Sequence, residues 1–183
     1  MKPDNNYFIV SDLFLKEYSD LVVSPPNPAD YDDIFKVSGS SNITVRDCTI
    51  NPDGGNREDG VDIMRYSKYI DFQWCKVGAG KKYGFTIKGG SNNVTLRDCT
   101  ITRGGGNWER VDIDIGNWST TTPAKTGTVT IDHVTRTDGK PVRVRVGWAE
   151  QPVIIGPNVH ILFWPSLGLK IYCLVRRALL KLS

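Results

Sequence analysis

The sequence predicts an all-β chain wound as a parallel β-helix of about five to six coils, and three observations carry that expectation. The phrase Asn42-Ile43-Thr44-Val45-Arg46-Asp47-Cys48-Thr49-Ile50 returns as Asn93-Val94-Thr95-Leu96-Arg97-Asp98-Cys99-Thr100-Ile101. Its apolar residues alternate, which is the period of strands and not of helices. Cys48, Cys75 and Cys99 occupy one position of three consecutive units, as stacked equivalents would.

Weaker copies of the phrase begin at Phe8, Tyr69 and Val129, and equivalent points in the five copies lie 24 to 35 residues apart. Repetition at such a period marks a stacked architecture. A second short run precedes each phrase: Phe35-Lys36-Val37, Val61-Asp62-Ile63, Phe85-Thr86-Ile87, Val111-Asp112-Ile113 and Val142-Arg143-Val144. Turns rich in Gly, Ser and Asn, such as 38–42 and 89–93, separate the two runs. Each coil therefore holds at least two strands, each pairing with its equivalents above and below. The cysteines are expected inside the coil as small apolar side chains rather than disulfides, because equivalent positions on neighbouring strands give poor bridging geometry.

The β-helix is expected over residues 1–160 and a helical cap over 161–183. From 167 to 182, Ile171, Leu174, Val175, Ala178, Leu179 and Leu182 follow helical spacing, with Lys170, Arg177 and Lys181 opposite. The alternative for this segment is a basic amphipathic helix lying on a membrane surface; it is too short and too charged for a transmembrane span. At the other end the first copy of the phrase lacks a preceding run. The first coil is thus expected to be open, offering strand edges to a second copy of the chain.

A net charge of +3 and the lack of any Lys/Arg block argue against nucleic acid as a partner. Residues 1–6, Met-Lys-Pro-Asp-Asn-Asn, do not read as a secretory signal. The four cysteines are too few for a disulfide framework.

The phrases at 41–50 and Glu58-Asp59-Gly60-Val61-Asp62-Ile63 resemble the coils of the pectate-lyase-like right-handed β-helix superfamily, which holds polysaccharide lyases, polygalacturonase-type hydrolases and phage tailspikes. The resemblance spans about residues 5–160 and implies a right-handed, single-stranded coil, in keeping with the handedness of parallel crossovers. It also implies an extracellular, virion or cell-surface location. Its members differ in chemistry, so function has to be read from the site.

With Ile63, Ile87, Ile113 and Val144 inward, one outward column is Lys36, Asp62, Thr86, Asp112 and Arg143, and the next is Ser38, Met64, Lys88, Asp114 and Arg145. Two readings compete: a flat polar surface for an acidic polysaccharide, held by Lys36, Asp112, Asp114 and Arg145, or cross-strand pairs that stabilise the sheet by up to about 1 kcal/mol each. Trp108 and Trp118, in two insertion loops, are candidates to stack on sugar rings. The resemblance further implies a Ca²⁺ ion that binds the uronate carboxyl, for which Glu58, Asp59 and Asp62 are the local oxygen donors. It implies Ca²⁺-assisted β-elimination by a basic side chain, for which Arg143 and Lys88 are the candidates. The run 140–147 resembles the superfamily's Arg-x-Pro-x-x-Arg phrase, but Gly139 stands where its catalytic Arg would be. Signatures of the hydrolases, Gly-His-Gly and Arg-Ile-Lys, are absent, and His133 and His160 read as structural. The expectation is therefore acidic-polysaccharide binding or lyase activity, against a non-catalytic structural or adhesion module.

Overall fold

In the computed structural model the described residues are 8–11, 14–15, 21–23, 34–50, 59–79, 82–102, 111–116, 124–147, 152–156 and 159–163. Every regular element among them is a strand. In chain order these are β1 (Phe8–Ser11), β2 (Phe14–Leu15) and β3 (Leu21–Val23), then β4 (Phe35–Ser38), β5 (Ser41–Arg46) and β6 (Thr49–Ile50). The next coils give β7 (Asp59–Met64), β8 (Lys68–Gln73) and β9 (Lys76–Gly78), then β10 (Tyr83–Ile87), β11 (Asn92–Arg97) and β12 (Thr100–Thr102). They continue with β13 (Ile113–Ile115), β14 (Val129–Asp132) and β15 (Thr135–Arg136), and end with β16 (Val142–Val146), β17 (Val153–Ile155) and β18 (Val159–Phe163).

Like strands stack on like strands in three parallel sheets. The first is β1-β5-β8-β11-β14-β17, the second β2-β6-β9-β12-β15, and the third β3-β4-β7-β10-β13-β16-β18. The all-β parallel β-helix expected from the repeat is thus the fold. The cap segment expected from residue 161 starts inside β18, which carries the third sheet to Phe163; the helical spacing at 167–182 lies outside the described residues.

One element departs from simple winding. The first coil was expected to lack its leading strand, yet β3 pairs in parallel with β4 through Leu21↔Phe35 and Val23↔Val37. A strand that follows β1 and β2 in the chain therefore takes the place in the third sheet that a strand before β1 would fill.

Stacking in register sends the alternating apolar residues inward. Ile43, Ile70, Val94 and Val129 form one column of the first sheet, and Val45, Phe72, Leu96 and Ile131 another. All are buried. Phe72 wedges between two residues of the facing sheet, its ring edge-on to Phe35 at 5.7 Å and to Phe85 at 5.4 Å, an arrangement aromatic quadrupoles favour. Facing sheets interlock at this point.

The bend from the first to the second sheet is made by one residue in the left-handed region: Asp47, Trp74, Asp98 and His133, with φ of 49 to 54°. The residue that follows turns inward, and in three coils it is cysteine. Cys48, Cys75 and Cys99 are buried free thiols, and their sulfurs donate to the carbonyls of Arg46, Gln73 and Arg97. Burial and the contact with Cys99 raise the pKa of Cys75, the contact contributing most, so this thiol stays protonated. The bend from the third to the first sheet is closed by serines. Ser67 donates to the carbonyl of Met64 at 2.6 Å and Ser91 to that of Lys88 at 2.8 Å.

At the corner between the second and third sheets the coil is thinnest. A Cβ on Gly60 would lie 2.4 Å from the Gly78 carbonyl oxygen and 2.9 Å from Val77 Cγ1. The carbonyl is backbone and cannot yield cheaply. Gly60→Ala is expected to destabilise the fold by about 1–3 kcal/mol as an overpacked site, and Phe72→Ala by about 3–5 kcal/mol as a cavity. Urea titration checks both, and a loss below 1 kcal/mol in either would mean that the coil relaxes more freely than its packing indicates.

Candidate functional site

Register decides which charged residues meet on the third sheet. Phe85 pairs with Ile113, two residues away from the alignment the sequence suggested, while Ile113 pairs with Val144 as that alignment had it. The central column is therefore Lys36, Asp62, Thr86, Asp114 and Arg145. Lys88 follows Ile87 in a margin column with Ser38 and Met64, while Asp112 and Arg143 belong to the opposite margin with Gly60 and Gly84. The expected groupings of Asp112 with Thr86 and of Asp114 with Lys88 are corrected accordingly.

The central column is paired and enclosed rather than laid open. Lys88 Nζ lies 3.0 Å and Lys36 Nζ 3.7 Å from Asp62 Oδ2. Arg145 grips Asp114 with two bonds, Nε to Oδ1 at 2.7 Å and Nη2 to Oδ2 at 2.9 Å. Its guanidinium also donates to the Tyr83 hydroxyl and lies 5.0 Å from the Tyr83 ring centre, a cation–π geometry. Lys36, Asp59, Asp62, Thr86 and Asp114 are all buried. Of the two readings of these columns, the central one has the character of the cross-strand ladder.

Asp112 turns out to be a corner residue. Where Gly60 adjoins Val77 and Gly84 adjoins Ile101, the next coil places Asp112 beside Arg136, which takes the register position of Ile101 in the second sheet. An acid–base pair thus replaces a glycine–aliphatic pair. Arg136 Nη1 donates to Asp112 Oδ2 at 3.1 Å, and Nε and Nη2 bind both oxygens of Asp138 at 2.9 and 2.7 Å. Arg143 closes the group, its backbone N–H donating to Asp112 Oδ2 at 2.8 Å. Sequence reasoning missed Arg136; the signal was a charged residue two after Val134, at the step where the other copies carry Ile50, Val77 and Ile101.

The remaining sequence candidates fall as follows. Asp59 accepts from the Thr86 hydroxyl at 2.8 Å, and Asp62 is held by its two lysines. A calcium ion, which takes six to eight oxygens, would have to compete with those ammonium groups for Asp62. Among the described residues no group of three or more acidic, His or Cys side chains gathers to hold a metal. Glu58, Trp108 and Trp118 lie outside the described residues. His133 sits at its bend with Nδ1 2.9 Å from Asp132 Oδ1.

Exposed aromatic residues form a second feature, on another face of the coil. Among the described residues the large apolar side chains left open are Tyr66, Tyr69, Trp74 and Ile154. Three of the four belong to the single coil that holds β8. The signal in the sequence was that Tyr69 and Trp74 stand where the repeated phrase carries Asn and Asp.

Burial opposes the charge of Arg136, but its bonds to Asp138 and the charge of Asp112 outweigh burial and hold the guanidinium above its ordinary value. The same contact, led by the hydrogen bond from Arg136, holds the Asp138 carboxyl below its usual 3.8. A carboxyl depressed on folding contributes stability above its unfolded pKa and loses it as the pH falls through the folded one. Asp138→Asn is therefore expected to destabilise the protein at pH 7 and to cost progressively less below about pH 4. Urea midpoints of both proteins across that window test it; a difference that stays constant with pH would disprove the linkage.

The comparisons with known proteins bear on the fold. Neither the curated proteins nor the solved structures contain a match to the chain. The family model described as a right-handed β-helix region matches residues 15–132, from β2 to the end of β14 and well over half of the sequence. The stacked parallel sheets and the repeated left-handed bend agree with that match, and the chain belongs to the right-handed β-helix family.

Proposed function

We propose that this β-helix is a non-catalytic binder of an acidic polysaccharide, and that Lys88 and Arg143 contact the uronate carboxylates. One observation carries the reading. Of the cations on the third sheet, these two keep about a fifth of their side-chain surface open, 20% and 22%, against 6% for Lys36 and 12% for Arg145. The enclosed pairs stiffen the sheet, and the two open cations stand at its opposite margins.

Their placement favours binding over elimination. Two coils along the axis and four residues across the sheet separate their backbones by about 16 Å. Each also leans on a different aspartate, Lys88 on Asp62 and Arg143 on Asp112. A β-elimination needs the base and the carboxylate-holding group at one sugar ring, whereas two points so spaced suit carboxylates on well-separated residues of one polymer. In the lyase reading, Asp59 and Asp62 together with Glu58 would hold Ca²⁺, and the ion would acidify the proton beside the carboxyl.

Titration with polygalacturonate and alginate, in Ca²⁺ and in chelator, separates the readings. The expected result is salt-sensitive binding in both media, weakened about tenfold by Lys88→Ala or Arg143→Ala, with no ultraviolet absorbance from unsaturated product. A Ca²⁺-dependent rise in that absorbance would establish the lyase instead. No binding to any uronate polymer would return the protein to the structural or adhesion reading.

A further inference from the structure

Among the described residues, nine that are not glycine have positive φ. Five are Asn42, Asp47, Asn93, Asp98 and His133, residue types that tolerate the left-handed region. The other four, Arg65, Tyr66, Tyr69 and Trp74, have φ of 52 to 61° and all lie in one coil. Register gives their counterparts. Arg65 and Tyr66 stand where the next coil has Gly89 and Gly90, Tyr69 where its neighbours have Asn42 and Asn93, and Trp74 where they have Asp47 and Asp98. At each of these positions the next coil uses a residue suited to the bend and this coil does not.

Burial does not compensate that choice, because Tyr66, Tyr69 and Trp74 are 56%, 59% and 56% exposed. Strain without burial is a mark of function rather than of folding. The Tyr66 ring rests on Gly90, where an added Cβ would come within 2.6 Å of it, so it is supported on one side while over half of its surface stays open. Tyr69 and Trp74 flank the outward side of β8, about 16 Å apart at the strand rise. Between them that side carries Asp71 and Gln73, which hydrogen-bond to each other, and Arg97 of the next coil donates to Asp71 at 2.8 Å. The pattern is open aromatic rings separated by planar hydrogen-bonding groups. A protein interface would place an apolar centre there; a sugar chain needs ring faces to stack on and polar groups for its hydroxyls.

Charge narrows the ligand. Residues 65–76 hold Arg65, Lys68 and Lys76 against Asp71, the stacked neighbours Arg46-Asp47 and Arg97-Asp98 add each sign equally, and Asp71 is already bound by Arg97. We infer that the β8 coil is a binding site for an acidic glycan, whose pyranose rings stack on Tyr66, Tyr69 and Trp74 and whose carboxylates meet Lys68 and Lys76. This site centres on β8 of the first sheet, reaches past the Trp74 bend to Lys76 at the start of β9, and stands whether or not Lys88 and Arg143 bind a polymer on the third.

Tyr69→Asn and Trp74→Asn restore residue types suited to the bend without changing charge, so a recognition role and a structural role predict opposite outcomes. The measurement is calorimetric titration with uronate oligosaccharides, with cello-oligosaccharide as the neutral comparison, alongside thermal melts. In the recognition role each variant weakens uronate binding about tenfold while its Tm rises by about 2–4 °C as strain is relieved. Lys68→Gln with Lys76→Gln weakens binding and flattens its salt dependence. Unchanged affinity in the aromatic variants, a fall in their Tm, binding of the neutral oligosaccharide alone, or no binding by the unaltered protein would each overturn the inference.

Discussion

The left-handed residue between the first and second sheets is the constraint on which the rest of this structure depends. A coil can stack only if its strands end at the same height and turn through the same angle as the coil beneath. One residue with φ near 50° makes that turn at Asp47, Trp74, Asp98 and His133. Because the bend is fixed, the next residue always points inward, which puts Cys48, Cys75, Cys99 and Val134 in one buried column. The strand before the bend then has only one phase. Its alternate residues fill the interior, and Phe72 arrives between Phe35 and Phe85. Packing follows from the bend, and a small side chain after it leaves room for the rings.

The charged third sheet shows a second consequence of stacking. Equivalent residues lie about 4.8 Å apart, so a buried charge is always near the same position of the next coil. Buried ions are costly unless each finds a close partner. The ladder answers with alternation of sign: Lys36 and Lys88 around Asp62, Arg145 around Asp114, Arg136 and Arg143 around Asp112. Charge balance here is a requirement of burial. For that reason acidic and basic residues on this sheet cannot all be read as contacts for a ligand, and exposure is what separates Lys88 and Arg143 from the others.

Much of this was legible in the sequence, and the failures have a common cause. The repeated phrase, its alternation and the cysteine position led directly to parallel stacked coils. The register of β13 did not follow, because Val111-Asp112-Ile113-Asp114-Ile115 alternates over five residues and offers two apolar pairs equally suited to face inward. A slip of two residues preserves every inward and outward assignment, so periodicity cannot detect it. The structure takes Ile113 and Ile115 into the column and leaves Asp112 at the corner. That corner also explains why Arg136 escaped notice. Its partner comes from a different sheet, 24 residues back, and only the stacked coils bring them together. The aromatic side chains were legible as departures from the phrase, but their exposure was not.

Stability in a stacked repeat is close to a sum of coil energies and nearest-neighbour interfaces. One coil can therefore carry conformations that would be too costly if every coil had them. Here the coil of β8 is also the one whose Phe72 touches the third-sheet rungs on either side of its own, through Phe35 and Phe85, so its inner side is anchored to both neighbours. Its outer side is where glycine, asparagine and aspartate give way to Arg65, Tyr66, Tyr69 and Trp74. Placing strained, open residues on a firmly packed coil keeps their rings fixed without ordering them at the moment of contact, which is the condition under which a small stacking surface binds usefully. The same separation of inner and outer sides means that the outer residues can vary freely while the coil continues to stack.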